Sequence, residues 1–195
     1  DASGLPDELK RLGIVLSGQR SLKGWQPADV SALDFFDLKG ILEELLGGLR
    51  LAEVTFTPGE HPSFHPGKCA LIKSGEHQLG VMGELHPKVR EAYDWGDTFK
   101  FPVLAADLDL ELLLNLAPEL VKTADVPGFP AVIEDLAFVV DESVPARNME
   151  TLIRQTGGKL LADVTLFDLF RGGNLGEGRK SMAYRLTYQA MDRTL

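Results

Sequence analysis

Hydrophobic and polar positions change period several times along the chain, and each change marks an element. Residues 11–18 form a short apolar run closed by Ser17-Gly18, which reads as a buried strand. From Asp34 the period becomes helical. Phe35, Leu38, Leu42 and Leu45 recur at three and four residues, with Ile41 and Leu46 alongside, giving one broad apolar face. Asp34 is placed to cap this helix and Gly47-Gly48 to stop it. Such a face serves core packing or a subunit contact equally well. A strand is expected at 52–57. Residues 59–68 cannot be helical, because Pro62 and Pro66 interrupt them. Residues 70–73 and 78–83 flank Ser74-Gly75 as the arms of a β-hairpin. His86-Pro87 opens a short helix, with Pro87 at the first helical position. A strand at 99–108 then runs into a helix ending near Leu116.

Pro118, Pro127, Gly128 and Pro130 place a boundary in residues 117–131. The expected domains are therefore 1–118 and 131–195, joined by a linker at 119–130. The second reads as a strand at 135–141, a helix at 148–155 ended by Gly157-Gly158, and strands at 160–170 and 180–189. That order, β-α-β-β, is three quarters of a ferredoxin-like unit, and the fold class is α+β. Alternation along the last strand puts Lys180, Met182, Tyr184 and Leu186 on one face and Ser181, Ala183, Arg185 and Thr187 on the other. Tyr184 and Arg185 therefore cannot face one ligand together, and alternation does not say which face is open.

Charge changes this picture more than composition does. The 195 residues are 44% hydrophobic and 25% charged, ordinary for a globular protein, with a net charge of −9. That sum argues against a nucleic-acid partner, but its distribution does not. The acidic excess lies before residue 147. Between Arg171 and Arg193 the chain carries five cations (Arg171, Arg179, Lys180, Arg185, Arg193) and two acids (Glu177, Asp192). Cations and aromatics on a sheet beside a Gly-rich loop (172–178) can hold single-stranded RNA. Exposed cations on a strand edge also discourage edge pairing, so a solvated edge is the competing reading. No apolar run approaches the length needed to cross a bilayer. A lone Cys69 rules out an internal disulfide and suits a reducing, cytoplasmic setting. The start at Asp1, without Met or secretory signal, reads as a recombinant or processed piece.

Independent active-site chemistry is weak. His61, His65 and Cys69 follow one another at four-residue spacing, but two prolines forbid the helix that would group them, and no metal site is expected. Gly178-Arg179-Lys180-Ser181 superficially resembles the end of a phosphate-binding loop. That motif needs a following helix, whereas Ser181 begins a strand. No serine has a nucleophile elbow or a histidine partner. Asp168, between apolar neighbours, reads as structural, and no catalytic residue is expected.

Several segments carry a resemblance. Residues 34–40 (Asp-Phe-Phe-Asp-Leu-Lys-Gly), 64–70 (Phe-His-Pro-Gly-Lys-Cys-Ala) and 80–87 (Gly-Val-Met-Gly-Glu-Leu-His-Pro) resemble, in order and spacing, the catalytic-like core domain of the bacterial phenylalanyl-tRNA synthetase β subunit. Residues 129–137, 166–168, 178–181 and 193–195 resemble that subunit's ferredoxin-fold anticodon-binding domain. The resemblance implies a class II synthetase-like antiparallel sheet with flanking helices, catalytically silent, followed by an incomplete ferredoxin-like domain. Residues 1–118 hold no Arg-bearing class II ATP motif, in keeping with that silence.

The resemblance further implies an α subunit that uses ATP and Mg²⁺, with no cofactor in this piece, and a cytoplasmic heterotetramer that charges phenylalanine tRNA. Partners are then the α subunit and the tRNA, with no membrane. Residues 70–85 and 34–46 are candidates for contact with α. Arg179 and Lys180 would touch phosphates, supported by Arg171 and Arg185, with Phe170 or Tyr184 as a stacking surface. The alternative is a purely structural, subunit-interaction module without RNA contact of its own. Glu134 stands where many members carry Arg, and Phe170 replaces a common Tyr, so it can stack but not hydrogen-bond. The chain stops where the family begins its last helix and strand, so an exposed edge is expected, covered by a homodimer or strand exchange.

Overall fold

A computed structural model describes residues 8–95, 100–120 and 125–195. It divides the chain into two units, Asp1–Lys122 and Thr123–Leu195. Both are α+β, with antiparallel sheets.

The first unit is a five-stranded sheet in the order β1-β5-β4-β3-β2. Its elements are β1 (Arg11–Ser17), α1 (Phe35–Gly48), β2 (Val54–Pro58), β3 (Phe64–Ser74), β4 (His77–Leu85), α2 (Pro87–Ala92), β5 (Val103–Asp109) and α3 (Leu110–Leu116). Helix α1 starts where Asp34 accepts from the N–H groups of Phe36 and Asp37, while Asp37 accepts from the Asp34 N–H. This reciprocal cap satisfies donors that the first turn otherwise leaves bare. Leu38, Leu42 and Leu46 are fully buried and pack against Ile72, Leu79, Met82, Leu104 and Leu108 of the sheet. Each such side chain contributes about 1.5–3 kcal/mol by leaving water. On the opposite sheet face Phe64, Cys69 and Val81 form a smaller cluster. The central strand β4 is accordingly buried on both sides.

Two expectations change. Strand β1 is an edge rather than a buried strand: among the described residues it pairs only with β5, and its burial alternates, leaving Val15 66% exposed. The helical stripe turns so that Leu46 is fully buried, while Phe35 and Leu45 pack only partly against the core. Residues 59–63 are non-helical, as Pro62 and Pro66 require, and β3 takes up the chain from Phe64, with a register shift between Phe64 and Cys69 around Pro66. Of the strand expected at 99–108, Phe99 lies outside the described residues.

The second unit contains β6 (Val132–Asp141), α4 (Ala146–Thr156), β7 (Leu161–Arg171), a single 3₁₀ turn (Gly173–Leu175) and β8 (Arg179–Tyr188). Sheet order is β6-β8-β7. Helix α4 covers one face, where Ile153, Val164, Met182, Tyr184 and Leu186 form the core.

Candidate nucleic-acid interface

The two faces of β8 have different fates. Lys180, Met182, Tyr184 and Leu186 all point to the α4 side and are buried. Ser181, Ala183, Arg185 and Thr187 point to the side that α4 leaves open. Register carries this face across the sheet: Val139, Ser181 and Phe170 form one row, Ala137, Ala183 and Asp168 the next, and Asp135, Arg185 and Thr165 a third. Between Leu166 and Asp168 the β7 register slips, so that Phe167 and Asp168 together oppose Ala183. A bulge of this kind brings two successive side chains to one face. Phe167 and Phe170 are therefore both on the open face, 49% and 53% exposed.

Arg185 ties this face together. Its Nε donates to Asp135 Oδ1 at 2.9 Å and its terminal nitrogen to Asp135 Oδ2 at 2.8 Å. The guanidinium carbon lies 5.1 Å from the centroid of the Phe167 ring, within cation–π range. The hydrogen bond from Arg185 holds the Asp135 carboxyl below its ordinary pKa, and the same bond raises that of Arg185.

The Gly-rich connection packs beside Phe170. Gly173 has φ 61°, a left-handed conformation that glycine adopts without strain, and the turn lies against the Phe170 ring edge. The Glu142 N–H donates to the Gly178 carbonyl at 2.7 Å, tying the connection to the end of β6.

The six residues singled out for RNA contact separate under this geometry. Phe170, Arg179 and Arg185 share the open face. Lys180 does not: it is 7% exposed and its Nζ donates to the Glu142 carbonyl oxygen at 2.7 Å. Nor does Tyr184, which is 1% exposed and donates its hydroxyl to the Ala146 carbonyl at 2.9 Å. Burial raises the Tyr184 pKa. Arg171 pairs in register with Lys180, and its guanidinium is held by Glu142 at 2.9–3.1 Å. Lys180 and Tyr184 are committed within the domain, on the strand face that packs against α4, whereas Arg171 sits at the rim of that face, ion-paired but with its side chain more than half exposed. Asp168, which the sequence marks as structural, is exposed beside Phe167, and Phe167 and Asp135 are surface groups that the sequence did not single out.

The first unit shows other clefts. The larger, about 740 Å³, lies between the start of α1 and the β2–β3 strands, walled by Phe35, Phe36, Phe56 and Pro66. Its two lysines are engaged: Lys39 with Glu43, and Lys68 with Glu84 at 2.6 Å. The histidines serve locally. His86 Nδ1 accepts from the Lys88 N–H and caps α2, and His61 Nδ1 accepts from the Ser63 N–H. Cys69 is buried, which pushes its thiol pKa up. Among the described residues no three His, Cys, Asp or Glu side chains come together as a metal site, and no helix is long and apolar enough to cross a membrane.

Comparison with known proteins adds to this geometry. Residues 1–110 match the phenylalanyl tRNA synthetase beta chain CLM domain family. The chain belongs to the phenylalanyl-tRNA synthetase beta chain family. Residues 127–195 match the ferredoxin-fold anticodon binding domain. Relatives include the phenylalanine–tRNA ligase beta subunits of Symbiobacterium thermophilum, 42% identical over 98% of this chain and 21% of the relative, and of Syntrophotalea carbinolica, 41% identical over 98% and 23%. The chain thus spans a little over a fifth of these beta subunits. In family terms the first unit is the core domain, and the open sheet face of the second belongs to the anticodon-binding domain.

Proposed function

We propose that this chain serves phenylalanine–tRNA ligase as a non-catalytic part of its beta subunit, with the second unit engaging the anticodon region of phenylalanine tRNA. The observation that carries the reading is the uncovered sheet face, on which Phe167, Phe170, Arg179 and Arg185 stand exposed within a domain matching an anticodon-binding family. Aromatic rings there offer stacking to splayed bases, and arginines offer charge to phosphates. The first unit supports the α subunit, and ATP and Mg²⁺ act on that subunit in a cytoplasmic heterotetramer. Phe36, 72% exposed on α1, is a natural contact for α. The outer edge of β6 has no strand partner among the described residues, and a second copy of the chain can pair there. Sedimentation equilibrium reads that pairing as a mass that rises with concentration.

The reading is tested by titrating labelled phenylalanine anticodon stem-loop and a loop-scrambled control at two salt concentrations. Preferential binding that weakens as salt rises supports it. Equal affinity for both loops overturns anticodon recognition and leaves non-specific electrostatics. An absence of binding, with α association retained, supports the purely structural alternative.

A further inference from the structure

The Asp135–Arg185–Phe167 arrangement spans all three strands of the second sheet: Asp135 on β6, Arg185 on β8 and Phe167 on β7. None of the three belongs to the buried core of the domain. All three side chains are on the open face, with about half of the Arg185 and Phe167 surface accessible. An exposed arginine ordinarily samples many rotamers, and ordering it costs conformational entropy. Here the bidentate carboxylate fixes the guanidinium in one place, and that place is above an aromatic ring. A fork-to-fork pair restricts orientation as well as position. The ring itself reaches this face only because the β7 bulge turns it there.

We propose that Asp135 is a positioning residue for RNA, holding Arg185 over Phe167 so that the pair forms a preorganised ledge on which one unpaired nucleobase of the loop stacks. This deepens the anticodon-binding reading and rests on it. Arg185 and Phe167 touch the base; Asp135 acts through Arg185. The arrangement has a consequence that simple electrostatics reverses. Asp135 places a negative charge on a face that binds a polyanion. If charge alone governed affinity, removing that carboxylate would tighten binding to any RNA. If Asp135 positions the ledge, removing it loosens the stacked base and erodes loop preference, despite the gain in positive charge.

The experiment uses the full chain and the phenylalanine anticodon stem-loop with 2-aminopurine placed at each loop position in turn, since stacking quenches its fluorescence. Wild type is expected to quench one position on binding and to prefer the true loop over a scrambled one. Asp135→Asn should lose that quenching and lower loop preference about five- to tenfold, at the lower end of what stacking one base supports. Arg185→Lys, which keeps the charge but not the planar fork, should behave likewise, and Asp135→Glu should restore part of the quenching. Hydrogen exchange of the β8 amides checks that each variant keeps its sheet. Retained quenching in Asp135→Asn, or tighter binding to both loops alike, overturns the proposal while leaving anticodon recognition standing. Absence of loop preference in wild type itself overturns both.

Discussion

Lys180 Nζ donates to the carbonyl oxygen of Glu142 at 2.7 Å, so a cation in a basic, Gly-flanked stretch is committed to the protein's own backbone. Its neighbour Arg179 stands exposed. Adjacent cations of like sequence context are therefore placed oppositely, one buried and one exposed. Lys180→Ala should destabilise the second unit by about 1.5–3 kcal/mol, the usual worth of a hydrogen bond from a charged group. Hydrogen exchange at β6 and β8 amides measures that loss. Arg179→Ala should leave exchange unchanged and reduce the salt dependence of RNA binding by about one counterion.

The two aromatic candidates separate in the same way. Tyr184→Phe removes the hydroxyl that reaches the Ala146 carbonyl and should cost about 0.5–1.5 kcal/mol of stability without changing RNA affinity. Phe170→Ala should leave stability nearly unchanged and weaken RNA binding by about 1–3 kcal/mol. Chemical denaturation and stem-loop titration of both variants give the four values needed.

Gly80 tests the packing of the first unit. A Cβ at this position would lie 2.2 Å from the Asp107 carbonyl oxygen and 2.9 Å from Leu108 Cα, both backbone atoms of the paired strand β5. Neither can move aside as a side chain can. Gly80→Ala should therefore destabilise the unit by about 3 kcal/mol, seen as a lowered thermal midpoint and faster exchange in β4 and β5.

Acid should loosen the start of α1. Arg20 donates to both oxygens of Asp37 and lies within ion-pair distance of Asp29 and Asp34. Hydrogen bonding from Arg20 holds Asp37 below the ordinary value of 3.8, and hydrogen bonds from Ser31 do the same for Asp29. Carboxylates with folded pKa values below their unfolded ones stabilise the fold above the unfolded pKa, and that stabilisation is lost as pH falls through the folded one. Stability measured down from pH 5 through pH 3 should fall progressively, and Arg20→Ala should flatten that fall.

Two helix starts were legible in the sequence, Asp34 before α1 and Pro87 behind His86, because they are local devices that depend on little beyond their own turn. The start of α4, expected at Asn148, lies at Ala146 behind Pro145, which makes no side-chain cap. Strand faces were less legible. Alternation grouped Lys180 with Met182, Tyr184 and Leu186, and Met182 and Leu186 pointed to burial. The cationic head of Lys180 obscured this, because a buried lysine needs a partner 38 residues away in sequence, at Glu142. The apolar composition of β1 hid its edge position, since Val15 is hydrophobic yet faces outward. Phe167 was the hardest case. Strict alternation sets it opposite Phe170, and only the bulge at Leu166–Asp168 brings both rings to one face. A polar Asp168 interrupting the apolar run was the single sign of that bulge.

RNA on the open face of the second sheet would shield its aromatic side chains, and hydroxyl-radical footprinting by mass spectrometry, with and without saturating anticodon stem-loop, reads that shielding. Phe167 and Phe170 should become protected, while Leu152 on α4, 51% exposed on the other side of the sheet, oxidises as before. Unchanged oxidation of both phenylalanines in the bound state would contradict that placement of the RNA.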